Sequence, residues 1–516
     1  MRRRRSPPAN RTVPGGVVGH TRRKIRFIEP RSREGRPFNA WVSRQPLLGP
    51  LTLATLLGQR GYDVAVYNEN VSGPLEKNHE AYDDIASADL VGISIMTPTA
   101  SRGYALADRI RRDAPRAAIV FGGIHATFMS QEALAHGDAV VRGEGESIIE
   151  RLAEGSFQSG IIESPPLDDL DSLPAPDYRL MRDFDRLLSQ FPSKALYPLP
   201  LMTSRGCPYR CSFCSVSRMF GQKVRRRSVE KVYEDIQQYA REGFREFFFY
   251  DDNFTSDREW TKRLMQRIKP LGVRLWVQTR VDFPWVDRSR RLLDRTLLDE
   301  MRDGGASTLY VGYETIDEET AAQWRKGYRG QGALRERLLE DTHILHENGF
   351  WIHGMFVVGP QHTHETVDQI VEFARRARIE TIQLSILTPF PGTPLYEQMC
   401  PHLILTEYPQ DWDYYDGTHC VYANARLGIQ AFQEAVLKAH RKFYRGYTWS
   451  LRRIQDVLDA RASLADRLRW AWSTARIAQR TLQEWEQETR MFLEMIGSRL
   501  ARDPRELQPA PRSLAE

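Results

Sequence analysis

The sequence, 516 residues long, predicts an α/β protein: a doubly wound parallel sheet, then a partial (β/α)6 barrel, then a mostly helical C-terminal region. Three observations carry this reading. From residue 24 onward, short β-rich runs alternate with helix-patterned runs, as repeated β-α-β units require. The alternation breaks in a stretch rich in proline and acid at 162–177, which includes Pro165-Pro166 and Pro174-Ala175-Pro176, and resumes near 198. Beyond 440 the strand patterns stop, and apolar residues recur at spacings of three and four.

The implied divisions are a basic arm at 1–23, a first sheet unit at 24–150, a linker at 151–195, the barrel at 196–395 and a C-terminal region at 396–516. In the first unit, strands are expected at 24–29, 63–67, 90–95, 117–121 and 139–141, with helices at 47–60 and 102–112. The ligand crevice of such a sheet lies beyond the carboxyl ends of its strands. That places it at Met96-Thr97-Pro98-Thr99, at Gly122-Gly123-Ile124-His125-Ala126-Thr127, and at Arg142-Gly143-Glu144-Gly145-Glu146. No G-x-G-x-x-G follows the first strand, which disfavours nicotinamide and flavin. In the barrel, strands are expected at 198–203, 246–250, 274–278, 308–312, 352–358 and 381–387. Helical patterns lie between them at 229–242, 257–269, 296–303, 334–348 and 365–378.

A chain of this length exceeds what one core organises, so several domains are expected. The longest apolar stretch, 47–57, is interrupted by Gly49, Pro50 and threonines and cannot cross a bilayer. The net charge of +6 is localised. Residues 1–24 hold eight Lys or Arg and no acid, and 441–480 hold ten basic against three acidic residues, which leaves the remainder acidic. A basic nucleic-acid groove through the catalytic body is therefore not expected. The arm, with Arg2, Arg3, Arg4 and Arg5 among prolines and glycines, reads as disordered.

The most informative segment is Arg205-Gly206-Cys207-Pro208-Tyr209-Arg210-Cys211-Ser212-Phe213-Cys214. A C-x3-C-x2-C loop gives a [4Fe-4S] cluster three thiolates, whereas clusters that only transfer electrons normally take four. One iron is left open for chemistry. A structural zinc site would need a second ligand pair at short spacing, which does not follow. Disulfides are disfavoured in a chain with five cysteines and no apolar secretory segment at its start. The expected compartment is reducing cytosol.

With Phe213 before the last cysteine, the loop resembles the signature of the radical S-adenosylmethionine (SAM) enzymes. In that family SAM chelates the open iron, and an electron from the cluster cleaves it to a 5′-deoxyadenosyl radical that abstracts hydrogen from unactivated carbon. The resemblance implies an external electron donor such as flavodoxin or ferredoxin. It also implies SAM-binding roles for Asp251, Asp252 and Asn253 after the second barrel strand, Gln278 and Arg280 at the third, Glu314 at the fourth and Gly354 in the fifth. Taken singly, Asp251, Arg280 and Glu314 are equally read as loop caps or surface pairs.

Residues 24–150 resemble the cobalamin-binding domain that precedes the barrel in one radical SAM subgroup. The resemblance implies cobalamin contacts from Thr97, Pro98, Thr99, Gly122, Gly123, His125, Gly143 and Glu144. No D-x-H-x-x-G motif supplies an axial histidine, and His125 reads as a loop or pocket residue rather than a cobalt ligand. The competing reading is a sheet of this shape that has lost cobalamin.

The subgroup implies methylation of an unactivated carbon, with cyclisation, ring contraction or oxidation as the alternative and an idle, non-catalytic scaffold as a remote one. Substrates in such relatives include hopanoids, tetrapyrroles and antibiotic precursors; the sequence leans toward a bulky apolar metabolite such as a polycyclic or isoprenoid lipid. The turn Leu387-Thr388-Pro389-Phe390-Pro391-Gly392 and the cluster Trp412-Asp413-Tyr414-Tyr415-Asp416-Gly417-Thr418-His419 are placed near the substrate entrance, and Cys400 or Cys420 is a candidate thiol there. Leu464, Leu468, Ala471, Ala475, Ala478, Leu482 and Trp485 form one helical stripe. With Trp449, Trp470, Trp472 and local positive charge it suits either packing on the body or a second copy, or peripheral contact with the inner face of an anionic membrane.

Overall fold

A computed structural model describes residues 23–33, 45–191, 193–328, 330, 332–423 and 426–444, and the backbone of a last helix at 464–502 with its side chains at 479–480 and 482–500. The basic arm, Trp449 and the side chains of Trp470 and Trp472 lie outside the described residues. The chain forms two compact units. Among described residues the first comprises 23–33, 45–187 and 407–413, and the second 188–406 and 414–502.

The first unit is built on six parallel strands, β1 (Lys24–Glu29), β2 (Asp63–Asn68), β3 (Leu90–Ser94), β4 (Ala118–Gly122), β5 (Ala139–Gly143) and β6 (Gly160–Ser164), in the order β2-β1-β3-β4-β5-β6. Strand order reverses between β1 and β3, so the carboxyl ends of those strands flank the crevice of a doubly wound sheet. Helices α1 (Leu48–Gln59) and α2 (Ala100–Asp113) pack on it. The sixth strand and the chain to Leu187 occupy the stretch read as a linker. Asp177 donates its N–H to Thr55 Oγ1 at 2.8 Å, and Tyr178 and Leu187 are buried. Proline and acid content masked this, because Gly160-Ile-Ile-Glu-Ser is too short to show a period.

The second unit carries β7 (Pro198–Leu201), β8 (Glu246–Phe249), β9 (Arg274–Arg280), β10 (Ala306–Glu314), β11 (Trp351–Val358) and β12 (Thr381–Ile386), all parallel and neighbouring in chain order. Their connecting helices are α3 (Val229–Arg241), α4 (Arg258–Ile268), α5 (Arg295–Asp303), α6 (Leu334–Glu347) and α7 (His364–Arg376). Ser228, Asp257, Asp294 and Thr363 cap the first turns of α3, α4, α5 and α7 through their side chains, satisfying backbone donors that would otherwise lack partners.

Burial alternates along these strands. On β11, Ile352, Phe356 and Val358 are buried while Trp351, His353, Met355 and Val357 are partly exposed. The buried face meets the helices: Phe356 stacks on Tyr313 at 5.1 Å, and both contact Phe373 of α7. The opposite face carries a row of partly exposed rings from adjacent strands. Phe248 lies 4.8 Å from Tyr310, Trp276 lies 6.3 Å from Tyr310, and Tyr310 lies 4.6 Å from His353.

The open edge at β12 is covered by α8 (Ile429–Tyr444). The Tyr444 hydroxyl bonds both backbone groups of Ile382, and Leu384 N–H donates to His440 Nε2 at 3.2 Å. Burial pushes His440 down to about 4, so it stays an acceptor. The last helix, α9 (Leu464–Arg502), packs on α8, with Trp485 against His440 at 4.6 Å and Phe492 against His419 at 4.7 Å. Among the described residues no helix is long and apolar enough to cross a membrane.

Candidate cofactor sites

The cysteine loop springs from the end of β7. Ser204–Arg205 pairs antiparallel with Arg225–Arg226, closing residues 206–224 at their base. Gly206 has φ +94, and a Cβ there would lie 2.8 Å from the Lys223 carbonyl and 2.9 Å from that of Gly221, so only glycine makes this turn. Ser212 N–H donates to the Trp324 carbonyl at 3.0 Å, Leu395 N–H to the Ser212 carbonyl at 3.1 Å, and Phe213 meets Trp324 edge-on at 5.8 Å.

Cys207, Cys211 and Cys214 are partly exposed free thiols. Burial raises all three, Cys214 to about 12, so a bound cation is needed to hold them as thiolates. Among described residues no three His, Cys, Asp or Glu side chains converge on one ion position. A cluster asks for something different, since its cysteines each bind a separate iron and must surround a cube.

Beneath the loop, Asp251 is fully buried and accepts from Thr203 N at 2.7 Å, Thr203 Oγ1 at 2.5 Å and Ser204 Oγ at 2.6 Å. Its geometry braces the entry to the cysteine loop. Asp252 accepts from Gly206 N at 3.3 Å, and burial together with the charge of Asp251 pushes it up to about 7. Asn253 Oδ1 is buried with no hydrogen-bond partner. An orphaned acceptor at this strand end fits the ammonium of an amino-acid ligand such as the methionyl part of SAM.

The other strand ends divide. Gln278 is partly exposed on the face away from the helices. Arg280 is committed to Asp282 at 3.0 Å and the Gly327 carbonyl, and lies over the Tyr209 ring at 4.2 Å, so it secures the cysteine loop. Glu314, with φ +56, pairs with Lys326 Nζ at 3.0 Å. A Cβ at Gly312 would lie 2.6 Å from Glu314 Oε1 and 3.2 Å from Lys326 Nζ, so that glycine makes room for the ion pair. Gly354 points its missing Cβ at Phe356 and Ile379, both fully or nearly buried, and therefore serves packing on the helix side; Met355 is its neighbour on the open face.

Lys326 is the candidate site residue that sequence reasoning passed over. It is 7% exposed and its charge acts on Cys207 and Cys211 as well as Glu314. The signal available was the aromatic and basic run Trp324-Arg325-Lys326-Gly327-Tyr328 in the loop after β10. Cys420, by contrast, is fully buried with its thiol pushed up to about 12, which leaves it inert; Cys400 is exposed.

In the first unit the predicted contacts gather at the ends of β3, β4 and β5. Thr97-Pro98-Thr99 forms a 3-10 turn fastened by Met96 N–H to Thr99 Oγ1 at 3.0 Å, with Met96 exposed at the tip. Gly122 has open space where a Cβ would stand, and a Cβ on Gly123 (φ +89) would come within 2.8 Å of the Ile95 carbonyl. A Cβ on Gly143 (φ +99) would come closer still to the Ser164 carbonyl, and buried Glu144 accepts Leu167 N–H at 3.1 Å. The open backbone at Gly122 fits the approach of a broad ligand. His125 faces inward. Its Nδ1 is 3.3 Å from Thr97 Oγ1, its Nε2 3.5 Å from Glu132, and its ring abuts Trp412. Burial lowers its pKa.

The profile of the radical SAM superfamily matches residues 201–374, and that of the B12 binding domain matches 43–153. Bacteriochlorophyllide d C-12(1)-methyltransferase of Chlorobaculum tepidum is 25% identical over 433 residues, 83% of this chain and 88% of its own. Anaerobic magnesium-protoporphyrin IX monomethyl ester cyclase of Rubrivivax gelatinosus is 26% identical over 411 residues, 73% of this chain and 70% of its own. In fold, the chain is similar to TsrM from Kitasatospora setae, a radical SAM methyltransferase solved with cobalamin and a [4Fe-4S] cluster bound, at TM-score 0.62 and 16% identity, covering 90% of this chain and 99% of that one. With a three-cysteine loop at the mouth of an open barrel and a doubly wound sheet preceding it in sequence, the chain carries a radical SAM domain and a B12 binding domain.

Proposed function

We propose that this protein is a cobalamin-dependent radical SAM methyltransferase acting on an unactivated carbon of a small molecule. The observation that carries it is the pairing, on one chain, of the braced three-cysteine loop with the glycine-edged crevice of a B12 binding domain. When bound, the cluster and SAM supply a radical able to take hydrogen from carbon, and cobalamin supplies a methyl carrier. Cys207, Cys211 and Cys214 would hold the cluster, Asn253 and Asp252 the methionyl ammonium, and Lys326 with Glu314 the charge beside it. Thr97, Pro98, Thr99, Gly122, Gly123, Gly143 and Glu144 would line the cobalamin crevice. An external low-potential protein would deliver electrons.

The substrate proposed is a bulky polycyclic molecule, a tetrapyrrole or a polycyclic lipid. Partly exposed Phe248, Trp276, Tyr310 and His353, on the sheet face away from the helices, support a large ring system. The cyclase among the relatives favours a second reading, oxidative ring closure with the same cofactors. SAM carrying a deuterated methyl group separates them: methylation gives a labelled product, whereas cyclisation gives an unlabelled one two hydrogens lighter. Replacing Cys207, Cys211 and Cys214 together by Ala should abolish cluster iron and SAM cleavage; retention of both overturns the assignment.

A further inference from the structure

Residues Glu407–Asp413 follow the barrel in sequence yet belong to the first unit. The segment is braced on itself. Asp411 accepts Glu407 N–H at 2.7 Å, Trp412 N–H donates to the Pro409 carbonyl at 3.2 Å, and the Tyr408 ring stacks on Trp412 at 3.8 Å. Trp412 has no exposed surface. Its indole N–H donates to Glu132 Oε1 at 2.8 Å, and its ring meets His125 edge-on at 5.0 Å.

What stands on the other side of His125 gives this contact its meaning. His125 Nδ1 is 3.3 Å from Thr97 Oγ1, and His125 N–H donates to the Ile95 carbonyl at 3.1 Å, fastening the turn to the end of β3. Two residues on, Thr127 Oγ1 accepts Gly143 N–H at 3.2 Å, fastening the same turn to the end of β5. One turn thus ties three strand ends together, and the wall behind it is a tryptophan from 280 residues later in the chain. Here the Glu132 carboxylate accepts the indole N–H and stands 3.5 Å from His125 Nε2, so the indole and the imidazole meet at one carboxylate.

We propose that Trp412 is a positioning residue of the cobalamin site: through Glu132 and His125 it holds the turn at 122–127 against β3 and β5 in the shape that receives the corrinoid. The assignment rests on the cofactor reading above and names a contributor to it that lies outside the matched B12 binding domain. It also divides the aromatic run at 412–419, because Trp412 belongs to the first unit while Tyr414 onward belongs to the second.

The experiment measures the dissociation constant for hydroxocobalamin by visible absorption, with the full chain carrying its reconstituted cluster. Trp412→Ala and Glu132→Ala should each weaken binding at least tenfold. Trp412→Phe, which keeps the ring but loses the donor, should fall between them and the wild type, and Glu132→Gln, which keeps an acceptor, should restore most of the affinity. Iron content and 5′-deoxyadenosine formation should stay at wild-type levels, since the cysteine loop is in the other unit. A space-filling role alone would lower the melting temperature of Trp412→Phe and leave its cobalamin constant unchanged, which overturns the proposal. So does wild-type affinity in Glu132→Ala, the variant that answers the question even where Trp412→Ala does not fold. A wild-type chain that binds no cobalamin overturns the cofactor reading and this proposal with it, whereas normal wild-type binding with unchanged variants overturns the proposal alone.

Discussion

Two side chains concentrate unusual electrostatics. Lys326 is almost fully buried, so its charge, which reaches two of the three cysteines, is poorly screened. Reducing a cluster adds negative charge, which a neighbouring cation favours. Lys326→Met should therefore shift the cluster's midpoint potential to more negative values, while Lys326→Arg keeps it near wild type; spectroelectrochemical titration reads both. The second side chain is Glu29, at the end of β1, whose carboxylate accepts from Leu47 N–H at 3.1 Å and Asn68 Nδ2 at 2.7 Å. Burial raises it from 4.5 to about 8. Its neutral form is the one the fold favours, so its contribution is complete below about pH 4.5 and is lost as pH rises through 8, at about 1.4 kcal/mol per pH unit at most. Glu29→Gln should flatten that slope, melting higher than wild type at pH 7.5 and by a smaller margin at pH 5.5.

At the level of elements, the strands and helices of both sheets were legible because parallel sheets with crossover helices alternate two periods that sequence displays directly. The cysteine loop was legible because its chemistry requires a fixed spacing. What stayed hidden depends on contacts far apart in the chain. The strand at Gly160–Ser164 is set by pairing with β5, the Lys326 site by a loop folding back on β10, and the role of Gly354 by the side of the sheet it faces. The apolar stripe of the last helix was visible but its partner was not. Trp485, Phe492 and Ile496 of α9 are buried, and Glu488 lies 3.9 Å from His419 Nε2. From Trp485 onward that face is spent on packing, while the side chains of Leu464, Leu468, Ala471, Ala475 and Ala478 lie outside the described residues. Phe492→Ala should cost about 3–5 kcal/mol in unfolding, and anionic vesicles should sediment no more of the full chain than of one ending at Tyr444.

For the whole molecule, the candidate cofactor sites stand where the carboxyl ends of parallel strands meet loops, in each unit separately. The barrel's six strands, capped helices and covered β12 edge are held by bonds between protein groups. Chelating the cluster should therefore leave far-ultraviolet circular dichroism unchanged, and iron with sulfide should restore the cluster's visible absorption. The paired Ser204–Arg205 and Arg225–Arg226, drawn together at the base of the cysteine loop, have a consequence for life in air. Oxygen that destroys the cluster would strip the loop of its metal but leave its neck fastened, so the damaged protein remains a receptacle awaiting repair rather than an unfolded chain bound for degradation.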